Sequence, residues 1–451
     1  MKGVEDRLRA ALMSGEAARS RAMMFARVDA ALRGRGIEPS HRFHVPGRIE
    51  VLGKHTDYAG GRSLLVAVEK GFCVVSAPRA DAGVRILDVG RDEEVMLSLD
   101  PSAPPPDRHW AIYPAAVTRR LVRDFAGPLC GADIALLSDL PPSSGLSSSS
   151  VLLIATFEAL RAANLLETRD DFARALPDVL DVAAYLGSVE SGRPFRGFGG
   201  EAGVGTAGGS QDHTAILASE AGRLRQFGFA PVRAEGSVVL PGEVTFVVAV
   251  SGVVAQKTAG AREAYNRAAA LSAAILQTWR AISGRDDRTL FEAVASSSDA
   301  QPRLRQALAS ATGEFPAPAL LARLDQFVDE KPRAHPDGLR GYRRGRPRGV
   351  REGGGSFAER RRDRPGQPGG GDHRPPTPGP VPRGARLIRL WRRLRGQRLG
   401  PGGARRGRRV HDPMGAGVSE APRSPRLEVL PDRRRPAARV PLRLTAPIPW
   451  P

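Results

Sequence analysis

Four short segments hold most of the residues that can do chemistry. Residues 46–61 read Pro-Gly-Arg-Ile-Glu-Val-Leu-Gly-Lys-His-Thr-Asp-Tyr-Ala-Gly-Gly, which packs Arg48, Glu50, Lys54, His55, Asp57 and Tyr58 into one turn-rich stretch. Such density suits a polyhydroxylated ligand, because each hydroxyl needs a donor or an acceptor. Residues 140–150 read Leu-Pro-Pro-Ser-Ser-Gly-Leu-Ser-Ser-Ser-Ser and run straight into the apolar Val151-Leu152-Leu153-Ile154. A Gly/Ser turn that opens an apolar helix presents free backbone N–H groups and the positive helix end, an arrangement that favours phosphate. The hydroxyls can add hydrogen bonds or a Mg²⁺ ligand. No Gly-Lys-Ser/Thr follows, so this is not a Walker A loop. Residues 205–214 place Asp212 behind a run of glycines at the edge of an apolar segment, a position suited to a general base. Residues 251–258 follow an apolar strand and lead to Arg262, Tyr265, Asn266 and Arg267. Each segment also has a plain structural reading: a solvated loop, a Ser-rich linker, a helix-capping aspartate and an ordinary strand–turn–helix.

The elements around these segments follow from hydrophobic spacing. Residues 5–33 have helical periodicity, closed by Gly34-Arg35-Gly36. Residues 42–52 and 64–76 read as strands flanking the 53–61 loop, and 84–99 as a hairpin arm. Helices are expected over 110–125, 151–165 and 171–190, and a strand over 132–137. The Gly-rich 192–209 must be loop. Strands near 224–229 and 244–250 precede helical segments over 257–282, 289–297, 304–311 and 319–328. Strands and helices mix without strict alternation, which predicts an α+β fold rather than a doubly wound sheet.

Composition divides the chain in two. The 451 residues carry a net charge of +20, yet residues 331–451 alone hold 31 Lys and Arg against 9 Asp and Glu. Residues 1–330 are close to neutral, with 37 basic and 39 acidic side chains. The last 121 residues also hold 20 of the 38 prolines and 20 of the 51 glycines, so they cannot bury a core and are expected to be disordered. Two cysteines, Cys73 and Cys130, make neither a disulfide framework nor a zinc cluster and read as small buried apolar residues. The N-terminus lacks the apolar core of a secretory signal, and no stretch approaches a membrane span of about 20 residues. Residues 1–330 therefore read as a cytoplasmic protein without a membrane partner.

The four segments together resemble the GHMP small-molecule kinases, the galactokinases most closely. The sugar signature of that family reads Pro-Gly-Arg-x-Asn-x-Ile-Gly-Glu-His-x-Asp-Tyr-x-x-Gly, and residues 46–61 match it apart from Glu50, Leu52 and Lys54. The phosphate loop Pro-x-x-x-Gly-Leu-Ser-Ser-Ser matches residues 141–149. Order and spacing agree over about residues 40–330. The resemblance implies a two-lobed α+β fold: an N-terminal lobe like ribosomal protein S5 domain 2 over 1–218, and a ferredoxin-like C-terminal lobe, incomplete here, over 219–330. It implies ATP and Mg²⁺ as cofactors and phosphorylation of a sugar, galactose above all, at its anomeric hydroxyl. By analogy Asp212 is the catalytic base and Arg48 stabilises the developing charge. Lys54, His55, Asp57, Gly209 and Tyr265 would form the sugar site. Gly145, Leu146, Ser147, Ser148 and Ser149 would wrap the ATP phosphates, with Ser149 and Glu190 on Mg²⁺.

Lys54 stands where the family carries Glu near the sugar C6 hydroxyl, so a uronic acid is an alternative substrate. A non-catalytic sugar and nucleotide sensor is a further alternative, against which Asp212 and Arg48 speak. The basic tail suggests nucleic acid, but Tyr342, Phe357, Trp391 and Trp450 are too isolated to form a stacking platform. Nothing in the sequence fixes the oligomeric state.

The family's third motif, Gly-Ala-Gly-Phe-Gly-Gly, is absent as written. Residues 388–401, back-translated with GC-rich codons and read one nucleotide later, give Ser-Ala-Phe-Gly-Ala-Gly-Phe-Gly-Gly-Ser-Val-Trp-Ala-Leu, which contains it. The tail over 331–451 is therefore read as a frameshift that begins near 330–333. Sequencing the gene across codons 320–345 is expected to show one base gained or lost. An intact reading frame there would make the Arg-rich tail a genuine extension.

Overall fold

The computed structural model describes residues 2–11, 13–104, 106, 109–241, 245–250, 259–333 and 427–429. The sequence runs α1 (Lys2–Ala10), α2 (Gly15–Arg33), β1 (His41–Leu52), β2 (Arg62–Pro78), β3 (Gly83–Asp88), β4 (Glu93–Ser98), α3 (Ile112–Asp124) and β5 (Ala132–Ser138). It continues with α4 (Ser148–Ala163), α5 (Asp170–Ala175), α6 (Val179–Ser191), α7 (Gln211–Ala218), β6 (Arg223–Gly228), β7 (Arg233–Val239) and β8 (Val247–Ala249). The helices α8 (Ala259–Ser283), α9 (Leu290–Ala295), α10 (Ala300–Ala309) and α11 (Ala317–Arg333) follow, with a last strand β9 (Leu427–Val429).

A seven-stranded sheet runs β4-β3-β5-β2-β6-β7, with β1 also paired to β2. Only β3 and β5 are parallel. The 17-residue β2 is the spine. It is almost continuously apolar because both its faces are covered, as expected of a strand inside a layered fold. Alternate residues serve the two faces. Cys73, Val75, Ala135 and Leu137 pack under α1 and α2, whereas Val74, Ile134 and Leu136 join the larger core beneath α3, α4 and α6. This mixed sheet bears out the α+β expectation for the N-terminal part.

Three local expectations are corrected. The segment 5–33 is two helices, not one: Ser14 leaves the helix and caps α2 by accepting from Ala17 N, while its own N donates to Glu69 Oε1 at 2.7 Å. Residues 171–190 are likewise split, because Pro177 interrupts the hydrogen-bond ladder and Asp178 then caps α6. Finally, β6 and β7 do not belong to a second lobe. Arg62–Leu65 of β2 pair with β6, and β6 pairs with β7, so the first sheet runs on to Val239 rather than ending at 218. Beyond it, α8 to α11 enclose a separate core around Trp279, Leu304, Leu324 and Phe327. The described residues of the second lobe are thus four helices and β8, whose partner is β9. The second lobe is incomplete among them. Apart from α11 and β9, the tail expectations concern residues outside those described.

Both cysteines are free, and Cys73 is fully buried. No helix among the described residues is long and apolar enough to cross a membrane.

Helix α2 is locked to the sheet by Arg21, which is buried. Its Nε and Nη2 donate to the Glu69 carbonyl at 3.2 and 3.1 Å, and Nη2 lies 2.6 Å from Asp139 Oδ2. Removing one partner of a buried pair leaves the other uncompensated. Arg21→Met is expected to lower unfolding free energy by about 3 kcal/mol in urea titration.

Candidate active site

Arg48 lies on β1 and Asp212 in the first turn of α7, 164 residues later. Arg48 Nε donates to Asp212 Oδ1 at 2.8 Å, and Nη2 stands 2.7 Å from the same oxygen. The other oxygen, Oδ2, accepts from Ser147 Oγ. Arg48 Nη1 also donates to the Gly145 carbonyl at 2.6 Å. One ion pair thereby joins the first, second and third chemistry-bearing segments. Burial opposes ionisation of Asp212, but the Arg48 charge and the hydrogen bonds from Ser147 and Arg48 outweigh it. The carboxyl is held below its ordinary range and is ionised at neutral pH.

Beside it is a cavity of about 270 Å³ whose wall includes Arg48, His55, Asp57, Gly209, Asp212 and Tyr265. That is near the small end of ligand pockets. Asp57 is buried and accepts from Gln211 N at 3.1 Å. Gly209 explains how that contact is possible: a Cβ there would come within 2.2 Å of Asp57 Oδ2. His55 and Tyr265 meet edge to face with ring centroids 5.0 Å apart. Burial, reinforced by Lys54 and Arg323, pushes His55 down to about 4, so it presents a neutral ring at pH 7.

Lys54 is placed otherwise than expected. Its residue is exposed and is not part of the cavity wall. The argument for a uronic acid substrate loses its cation, because Lys54 lies outside the pocket and Arg48 is committed to Asp212.

The Gly/Ser loop over 141–149 borders the cavity without lining it. Ser143, Gly145 and Ser147 have positive φ, which curls the backbone before α4. Such a concave turn can gather N–H groups around an anion. Ser147 stands at the N-cap with no side-chain cap bond, and Gly145 and Ser148 are exposed, so the first turn of α4 is open to a ligand. Leu146 is buried and anchors the loop instead of facing a ligand. Glu190 reaches this region from α6, but its hydroxyl partner is Ser150, at 2.9 Å, rather than Ser149. Helical spacing turns Ser149 away from α6 and points Ser150 towards it. His213 Nε2 lies 3.1 Å from the same Glu190 oxygen.

Sequence reasoning missed the support from the second lobe. Arg323 Nη2 on α11 donates to the His55 carbonyl at 2.6 Å and to Tyr58 Oη at 3.1 Å. Gln326 Nε2 donates to the Lys54 carbonyl at 2.9 Å, and Glu330 Oε2 accepts from Gly53 N at 2.9 Å. Positions 323, 326 and 330 share one helix face, which clamps the 53–58 loop. Asn266 on α8 similarly ties down the Gly-rich loop, accepting from Ala207 N at 2.8 Å and donating to Gly205 O at 3.0 Å. No motif marks α11. Asn266 lay within the fourth segment, of which residues 251–258 fall outside the described residues.

Residues 34–78 match the galactokinase galactose-binding signature, and residues 113–195 match the GHMP kinases N-terminal domain. The N-terminal part of this chain thus matches the galactokinase and GHMP-kinase family. It is 37% identical over 134 residues to a galactokinase of Roseiflexus sp. (strain RS-1), and 38% over 135 residues to one of Chloroflexus aggregans. Each alignment covers 29% of this chain and 34% of the relative, so the chain spans about a third of the relatives' length. The crystal structure of Lactococcus lactis galactokinase complexed with galactose shares the fold, with a TM-score of 0.53 at 20% identity over 70% of this chain and 73% of that one.

Gly209→Ala is expected to destabilise the protein by about 1–3 kcal/mol, because the added methyl collides with Asp57. Thermal unfolding measures this. An unchanged melting temperature would show that the 209–211 turn yields freely.

Proposed function

We propose that the chain carries the site of an ATP-dependent sugar kinase that phosphorylates the anomeric hydroxyl, with galactose as substrate and galactose 1-phosphate as product. The observation that supports this best is the placement of Asp212. Its carboxylate faces the cavity and is bonded on its other side to Ser147 of the Gly/Ser loop before α4. A sugar hydroxyl beside Asp212 and a terminal phosphate over α4 would meet at that point. Asp212 retains free lone pairs beyond those used by Arg48 and Ser147, and so can accept the hydroxyl proton. Arg48 keeps it ionised and offsets negative charge that develops alongside. Reactions of this class rest on positioning and charge neutralisation, which these residues supply.

The donors present fit the implied cofactors. The open N-terminus of α4 suits the phosphates of ATP. Glu190 and Ser150, both in the cavity wall, offer hard oxygens of the kind Mg²⁺ takes, the remaining positions falling to phosphate and water. When bound, Mg²⁺ supplies charge neutralisation to the phosphates. Within this reading the N-terminal lobe is the S5-domain-2-like half, and α8 to α11 are the helical part of a ferredoxin-like half.

The test is ADP release with a panel of hexoses. The 451-residue chain as written is expected to be weakly active or inactive, and a chain with its frame restored after residue 330 to turn over galactose. In that restored chain, Asp212→Asn should lower kcat by about 10²–10⁴-fold while sugar binding persists. Undiminished kcat in the Asn variant would remove Asp212 from the role of base.

A further inference from the structure

One group in the cavity wall has no part in the reaction just described. Glu50 lies on β1 two residues after Arg48, and its Oε1 is buried with no hydrogen-bond partner among the described residues. The sugar signature carries Asn at this point, a neutral side chain that both donates and accepts. A carboxylate only accepts. The surroundings are rich in acid: Glu50, Asp57, Glu190 and Asp212 all line the cavity, and Arg48 is the only Lys or Arg among its described lining residues. That Arg is committed to Asp212.

We propose that Glu50 is a specificity-determining residue that selects a sugar bearing an ammonium group, an amino sugar, over the neutral sugar of the same shape. This rests on the reading of the cavity as a sugar site. An ammonium is a donor-only group and complements the unpaired acceptor. Hydrogen bonds between charged partners are roughly twice as strong as neutral ones, and the covered position limits screening by water. The same acid excess disfavours a uronate.

Burial and the groups that share the cavity wall with Glu50 set its protonation. Arg48 shares its strand, and Leu65 is opposite it on β2. His55 and Asp57 come from the following turn, Gln211, Asp212 and His213 from α7, Glu190 from α6 and Tyr265 from α8. Burial raises the Glu50 carboxyl to about 7. Arg48 and Gln211 oppose that rise, and Asp212 and Asp57 add to it. Without ligand it is therefore substantially protonated below neutrality. An ammonium favours the ionised form, so binding below pH 7 must release a proton, and amino-sugar affinity must rise with pH towards 7.

The experiment is calorimetric titration of the full 451-residue chain at about pH 6.5. The ligands are galactose and its 2-amino, 4-amino and 6-amino deoxy analogues, each in two buffers of different ionisation enthalpy. At least one analogue is expected to bind about tenfold tighter than galactose, with proton release. Glu50→Gln should abolish both the preference and the proton release. Glu50→Asn serves if the Gln variant does not fold. Equal binding of galactose and all its amino analogues, or a preference that survives both variants, overturns the proposal and leaves the sugar site standing. Failure of every sugar to bind overturns the sugar-site reading, and this inference with it.

Discussion

The Arg48–Asp212 ion pair is the contact on which the rest of the site depends. It closes a circuit between β1, the turn before α4 and the first turn of α7, three segments that the sheet only brings near one another. Taking two charges partly out of water is costly, and hydrogen bonds to both partners offset that cost. Asp212 takes hydrogen bonds on both oxygens, and Arg48 also reaches the Gly145 carbonyl. Geometry at this point fixes where the Gly/Ser loop before α4 sits relative to the cavity.

Around that pair the cavity is built from carboxylates that differ in environment more than in kind. Asp212 has a cation in contact and stays ionised. Asp57 is buried, and burial raises its carboxyl, although backbone N–H groups work against the rise. Glu50 shares Arg48 with Asp212 and gains less from it, so burial prevails. His55 is neutral because burial and neighbouring cations disfavour its charge. One strand, one short turn and the first turn of α7 thus present a partly protonated acid, a neutral ring and an anion to the same small volume.

The second lobe contributes less chemistry than restraint. Through Arg323, Gln326 and Glu330, α11 holds the backbone of the 53–58 loop, and Asn266 holds the Gly-rich loop from α8. A loop this rich in polar side chains would otherwise fluctuate among many hydrogen-bonding arrangements. Glu330 makes the last of these restraints where the composition of the chain changes, so the clamp is complete before the Arg-rich tail starts. The cavity-facing 53–58 loop is held by residues up to that point.

The sequence by itself determined the local elements and the kinds of chemistry. Apolar runs bounded by Gly and Pro marked β1, β2 and β5. The Gly/Ser turn before an apolar segment marked the opening of α4, and the motifs named Arg48, His55, Asp57, Gly209, Asp212 and Tyr265, which do share one cavity. Those signals are legible because they are short-range: a turn, a cap or a strand is written in adjacent residues. Tertiary structure decided what depends on direction and distance. It turned Lys54 outward, set Ser150 rather than Ser149 against Glu190, zipped β6 and β7 onto the first sheet, and brought α11 onto a loop 268 residues earlier in the chain. It also left Glu50 Oε1 without a hydrogen-bond partner among the described residues. One residue of helical rotation, or the meeting of two segments far apart in sequence, has no local signature, because its energy lies in contacts that exist only once the chain has folded.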